Sequence, residues 1–283
     1  MSYRKKHIKN KIYGRKPGRS IFKSPIFWLA LLFLIIAFSI LYLLVFYPEF
    51  QVGNVIISGN DKTQEQVIED IVLDSISKRF LSIGGWSLTS KSIFFINADR
   101  LNKQILDKLP IIESIKIDKK LPDTLILGIT ERKPAAVFCP FMDQPTVENQ
   151  KKCFLIDGNG VIFEPLSAPA PDMVVVQQLM AENQVFTGEE VIARNIMGSI
   201  YEIEKSLKEN FEIDIEEALI TSPIQLNINT SENWKIYFNT DQGFNIGLQV
   251  AKLNLLLKGE IAPEARKNLQ YIDLRFKDRA YYK

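Results

Sequence analysis

The residues that could do chemistry in this chain are few. Its one histidine, His7, sits in a run of Lys and Arg near the N-terminus, so no imidazole serves as base or metal ligand in the remainder. Two adjacent carboxylate pairs, Glu189-Glu190 and Glu216-Glu217, are of the residue type that hydrolyses a glycan. Read as helical neighbours they point about 100° apart and do not converge on one substrate. Gly84-Gly85 and Asn159-Gly160 lack both the phosphate-loop lysine and a dinucleotide fingerprint, and read as turns. The expectation is a protein without catalytic, cofactor-binding or metal-binding residues.

Two cysteines, Cys139 and Cys153, bracket a polar stretch containing Pro140, Pro145 and Asn149. A bridge between them would close a loop of about 15 residues and contribute roughly 3 kcal/mol in the chain-entropy picture. Two reduced, buried thiols are the alternative, and spacing alone leaves both open.

Which compartment holds those thiols depends on the first fifty residues. Ser24 to Pro48 contains no charge, and Ile26–Tyr47 is dominated by Leu, Ile, Phe and Val. A helix of that length covers roughly 33 Å, enough for a hydrocarbon core of about 30 Å. The run is longer than a signal-peptide core and lacks a small-x-small cleavage site after it, so it reads as a retained anchor. Arg4, Lys5, Lys6, Lys9, Lys11, Arg15, Lys16, Arg19 and Lys23 precede it without any Asp or Glu. The positive-inside rule puts that tail in the cytoplasm and everything after Pro48 outside, where disulfides persist. Topology and anionic headgroups account for the basic tail, and no specific nucleic-acid ligand is expected.

Beyond the anchor, Phe50–Ser58 predicts a strand and Gly59-Asn60 a turn. Thr63 and Gln66 have capping-box spacing ahead of Ile68, Ile71, Val72 and Ile76 at helical intervals. Leu81–Ile96 shows no clear period. Asn97 caps a second helix carrying Leu101, Ile105 and Leu109, ended by Pro110. Strands over Ile111–Asp118 and Thr124–Glu131 complete a β-α-α-β-β order. Further on, Asp157-Gly158-Asn159-Gly160 turns a hairpin, and Ala168-Pro169-Ala170-Pro171 forms a loop before a strand over Met173–Val176. A helix is predicted from Gly188 to Lys208 with Glu189 and Glu190 in its first turn. Strands follow over Phe211–Ile215, Ile224–Asn229 and Trp234–Phe238, then a helix from Phe244 to Lys258 and a strand over Gln270–Phe276.

This order resembles a known family. Leu121-Pro122-Asp123-Thr124-Leu125 and Glu131-Arg132-Lys133-Pro134-Ala135, behind a single anchor, are similar to the POTRA domain of FtsQ/DivIB division proteins. Phe154 to Phe163 is similar to the hairpin opening that family's second domain, and Tyr271-Ile272-Asp273-Leu274-Arg275-Phe276 to its last well-defined strand. The resemblance implies one transmembrane helix followed by an α+β fold. The expected division is a tail over 1–24, the helix over 25–48, a POTRA domain over 49–132 and a C-terminal mixed, β-rich domain over 133–283. It implies a non-catalytic scaffold in the cytoplasmic membrane at the division septum, joining small FtsB/DivIC-like and FtsL-like bitopic proteins without a small-molecule substrate. It also implies that a partner strand docks near Tyr271, Ile272, Leu274, Arg275 and Phe276. The alternative is a POTRA-bearing envelope sensor or polypeptide-binding module of a transport system.

Overall fold

A computed structural model of the chain describes residues 24–83, 86–141, 152–166, 173–179 and 185–283, with the side chains of 78–89 left aside. The basic tail, His7, Gly84-Gly85 and the Ala168–Pro171 loop lie outside the described residues. The apolar run forms helix α1, Pro25–Phe46, with mean hydropathy 3.0 and almost all of its side chains exposed. A helix that is apolar on every side and uncovered by its own protein is built for a lipid environment.

The first unit after α1 is a three-stranded sheet in the order β1-β5-β4, from Asn54–Ser58 (β1), Ile112–Lys120 (β4) and Thr124–Glu131 (β5). β1 runs parallel to β5 and β4 antiparallel to it. Helices α2, Glu65–Ile76, and α3, Ala98–Lys108, pack together, burying Ile68, Val72, Ile76, Leu101 and Ile105 with Leu125 and Leu127. Asn97 caps α3 as its sequence predicts, its side chain accepting from the Arg100 N–H at 2.9 Å.

The capping box at Thr63 and Gln66 does not form. α2 begins at Glu65 after Gln64, which makes no side-chain cap. Instead the Lys62 and Thr63 N–H groups donate to the Glu131 carboxylate at 2.9 and 2.8 Å, so the end of β5 holds the entry to the helix. β4 starts one residue later than expected and shifts register between Ile112 and Ser114. Ile112 and Ile115 face the core in consequence, while Ile111 and Ile117 are only partly buried. Between α2 and α3 the unreadable stretch is a hairpin, Lys78–Ile83 (β2) with Trp86–Ser90 (β3), followed by a short 3-10 turn at Ile93–Phe95.

The second unit is a nine-stranded mixed sheet, ordered β14-β13-β12-β11-β10-β9-β6-β7-β8. Its strands are Ala136–Phe141 (β6), Phe154–Ile156 (β7), Ile162–Pro165 (β8), Val175–Leu179 (β9), Ile215–Ser222 (β10), Gln225–Thr230 (β11), Lys235–Asn239 (β12), Tyr271–Asp273 (β13) and Tyr281–Tyr282 (β14). Helices α4, Arg194–Phe211, and α5, Ile246–Gly259, pack side by side. They cover a core that includes Phe138, Ile200, Ile203, Leu253, Trp234 and Phe238. Along β11, burial alternates strictly, as expected of a sheet with one covered face.

The predicted helix from Gly188 begins too early. Gly188 takes φ +95° in a turn, Glu190 bridges to Val161, and α4 starts only at Arg194. Glu189 and Glu190 are therefore loop residues, and Glu216 and Glu217 lie on β10. The Phe211–Ile215 strand is displaced into β10 because Glu212 adopts a left-handed conformation, φ 59°, as the C-cap of α4. Cys139 and Cys153 are joined by a disulfide, with Cα atoms 4.4 Å apart.

One partly buried ion pair connects the two units. The Arg132 side chain donates to the Pro110 carbonyl at 3.0 Å and, through its terminal nitrogen, to the Asp157 carboxylate. Asp157 also accepts from the Asn159 and Val161 N–H groups, each at 2.9 Å, and so shapes the hairpin turn between β7 and β8. Its side chain is 5% exposed. Removing one member of such a pair strands the other charge away from water, at a cost of about 3–5 kcal/mol. Asp157→Ala should lower stability by about that amount, whereas an exposed control such as Lys116→Ala should stay within about 0.5 kcal/mol. Denaturant titration of the full chain in detergent, followed by Trp234 fluorescence in a Trp28→Phe/Trp86→Phe background, checks this.

Candidate partner-binding site

The C-terminal sheet edge concentrates exposed aromatic and charged groups. β12 brings Tyr237 alongside β13, its ring 5.8 Å from that of Tyr271. Arg275 lies over the Tyr237 ring at 5.3 Å and grips Asp273 through Nε at 2.9 Å and Nη2 at 2.6 Å. Its third contact is the Gln225 side-chain carbonyl on β11, at 3.2 Å. The guanidinium is thus held across three strands. Burial alone would push the Asp273 carboxyl upward, but the hydrogen bonds and charge of Arg275 outweigh it and hold the group below its ordinary range. Asp273 in turn raises the Arg275 guanidinium.

Beyond Arg275 the chain loops back. Lys252 on α5 gathers that loop by donating to the carbonyls of Phe276, Lys277 and Arg279 at 2.6, 3.1 and 3.2 Å. β14 then returns antiparallel against β13, pairing Ile272 with Tyr282 and Asp273 with Tyr281. Phe276 meets Tyr281 edge-on at 5.2 Å.

The five residues expected to meet a partner separate into two groups. Ile272 and Leu274 are each 0% exposed, since both point into the core beneath α5. Their side chains hold the sheet together and are not contact surface, which corrects the expectation for those two. Tyr271 and Arg275 are partly exposed, and Phe276 is 45% exposed. The strand is also shorter than Gln270–Phe276, because Arg275 folds back on Asp273 and ends the ladder. β14 carries the true edge of the sheet, and two residues are too few to show a period in sequence. Its Tyr281 and Tyr282 are 46% and 48% exposed. Leu248 and Leu255 on α5, at 71% and 74% exposed, add apolar surface nearby. Among the described residues no cluster of His, Cys, Asp or Glu is arranged to hold a metal ion.

An apolar anchor followed by a small βαβ-type sheet and a large mixed sheet defines a class of membrane-attached α/β protein. Residues 83–132, which hold α3, β4 and β5, match the family described as POTRA domain, FtsQ-type. Over 208 residues the chain is 26% identical to the cell division protein DivIB of Clostridium tetani, covering 72% of each protein. It is 27% identical over 141 residues to the cell division protein FtsQ of Koribacter versatilis, covering 46% of this chain and 39% of that one. The chain is thus similar to division proteins of the FtsQ and DivIB kind, and these similarities support a division-related role.

Because Asp273 is depressed in the folded protein, the stability it lends is complete above its unfolded value, about 3.9, and is lost as pH falls through the lower folded value. The Arg275 clamp should therefore stay closed throughout the neutral and mildly acidic range. Followed by NMR, the Arg275 Nε–H resonance should titrate with a midpoint below that of a free aspartate, and the transition should vanish in Asp273→Asn.

Proposed function

We propose that the chain is a non-catalytic, single-pass anchor of the division machinery. Its basic tail, 1–24, lies in the cytoplasm, α1 crosses the membrane within 25–48, and the POTRA domain, 49–132, and β-rich domain, 133–283, stand outside at the septum. It gathers FtsB/DivIC-like and FtsL-like bitopic proteins by pairing surfaces. The observation that carries this reading is the sheet edge at β14. It is short and uncovered, and Phe276, Tyr281 and Tyr282 beside it leave close to half of their surface in water. An added strand would satisfy the outward backbone groups of such an edge, while the aromatic rings and the Arg275 clamp select what is added.

The Cys139–Cys153 bridge fits the same placement, since it needs an oxidising compartment to persist. Thiol labelling of unfolded, unreduced protein from the cell envelope should find both cysteines blocked. Two reactive thiols would put the outer placement in doubt.

The partner site is tested by capture of an FtsB/DivIC-type protein from the same organism on the full chain. Phe276→Ala and Tyr282→Ala should each weaken binding by about 1–3 kcal/mol if they are anchors, with the fold unchanged because both side chains are peripheral. Tyr201→Ala on α4, 66% exposed at wild type, is the control and should bind normally. Normal capture by the double variant Phe276→Ala/Tyr282→Ala would move the site to the other open edges, β1 or β4 of the POTRA sheet.

A further inference from the structure

The end of the membrane helix is capped by the domain that follows it. An α-helix leaves its last four carbonyls without intrahelical donors. In α1 the Leu43 carbonyl accepts from the Tyr47 N–H at 2.9 Å. The Leu44 carbonyl accepts from the Ser92 hydroxyl at 2.6 Å. The Val45 carbonyl accepts twice, from the Ser90 hydroxyl at 2.6 Å and from the Gln51 side-chain amide at 2.7 Å. These donors are tied to one another. The Gln51 side-chain carbonyl accepts from the Lys91 N–H at 2.7 Å, the Ser92 N–H donates to the Ser90 hydroxyl at 3.1 Å, and the Val52 N–H donates to the Lys91 carbonyl at 3.1 Å. Val45 is 6% exposed, unlike the lipid-facing residues before it, because the domain closes over the last turn.

This cap fixes where the neighbouring rings sit. α1 has 22 residues, so it covers about 33 Å against about 30 Å of hydrocarbon, and its final turn falls at the headgroup boundary. Leu44 and Val45 are within two residues of that end, so Ser90 and Ser92, bonded to them, lie at the same depth. Phe94 follows two residues later, 42% exposed and in edge contact with Phe50 at 5.1 Å. Tyr47, 46% exposed, touches Phe50 at 5.6 Å. Tyr47 at this level matches the belt that Tyr and Trp form at membrane interfaces, and the Phe50 and Phe94 rings packed beside it extend its apolar surface. Glu49 and Lys91, the charges in the same two segments, would then stand at headgroup height, where water and headgroups solvate them.

We propose that this corner is a lipid-contacting surface. Tyr47, Phe50 and Phe94 enter the headgroup–acyl boundary of the leaflet in which α1 ends, and Ser90, Ser92 and Gln51 lock the POTRA domain to the helix as one rigid body. The partner is the bilayer itself, continuous with the surface that α1 already presents to it. This inference rests on the reading of α1 as membrane-spanning and adds an orientation to it.

The test uses the full chain with its disulfide intact, in vesicles of phosphatidylethanolamine and phosphatidylglycerol. A nitroxide is attached in turn at Phe94→Cys, Ile36→Cys and Tyr201→Cys, and its collisions with oxygen and with a water-soluble nickel chelate are compared. The oxygen-to-nickel ratio at 94 should exceed that at 201 several-fold and approach that at 36. A label at 94 as open to the chelate as the label at 201, with 36 still shielded, would overturn the lipid contact and leave the anchor standing. Exposure at 36 as well would overturn both. Adding Ser90→Ala, Ser92→Ala and Gln51→Ala should release the label at 94 into water without changing that at 36, while Ser92→Thr, which keeps the hydroxyl, should preserve its depth. An unchanged label at 94 in the triple variant would show that the cap does not hold the domain down.

Discussion

The architecture outside the membrane turns on Asp157. One carboxylate oxygen closes the turn between β7 and β8, and the other receives Arg132 from the end of the first unit. The two hydrophobic cores share no buried side chain, one ending at Ile129 and the other beginning at Ala136. Among the described residues the polar links between them are the Arg132–Asp157 pair, the weaker reach of Asn159 to Glu113 at 3.5 Å and the surface pair of Lys62 with Glu164, while the Pro110 ring lies beside Gly188.

Carboxylates perform the same service elsewhere. Glu131 collects the N–H groups ahead of α2, Glu232 takes the Trp234 indole N–H and pairs with buried Arg266, and Asp273 holds Arg275. In each case the carboxylate holds a turn or a chain end. Gln249 belongs with them: its amide bonds both the N–H and the carbonyl of Asn239, extending the ladder of β12 into a helix side chain.

Elements with a strong period were legible from the residues alone. α1 declares itself by absence of charge, α3 by Asn97 and a clean apolar face, and β5 by unbroken alternation. Legibility failed where a distant partner decides the local structure. Thr63 looks like a cap in isolation, yet Glu131, far along the chain, offers its backbone a charged acceptor. The acidic Glu189-Glu190 pair mimics a helix start, but Gly160 and Ile162 bind that segment as an extra ribbon and delay the helix. β14 is two residues long, and nothing in Tyr281-Tyr282 distinguishes a strand from a loop until β13 lies beside it. At the C-terminal strand the alternation read from the residues breaks down, because Asp273 is buried together with Ile272 and Leu274 and the ladder ends at the bend at Arg275.

The strand order also carries a kinetic consequence. A chain released N-terminus first completes every pairing of the three-stranded sheet once Glu131 has emerged, since β1 finds its parallel partner β5 within that unit. The second sheet follows another schedule. β6 gains β7 at once, but its other neighbour, β9, must cross the whole β7–β8 hairpin to reach it, and β10 then stacks on β9 only after α4 has been made. From β10 onward most pairings are sequential, with α5 as the one long crossover before β13. Within the second sheet β9 therefore carries the long-range pairings, to β6 before it and β10 after it, as β1 does to β5 in the first. Until β9 docks, β6 keeps one side unpaired, so an open strand edge that can stick to its neighbours is present midway through synthesis.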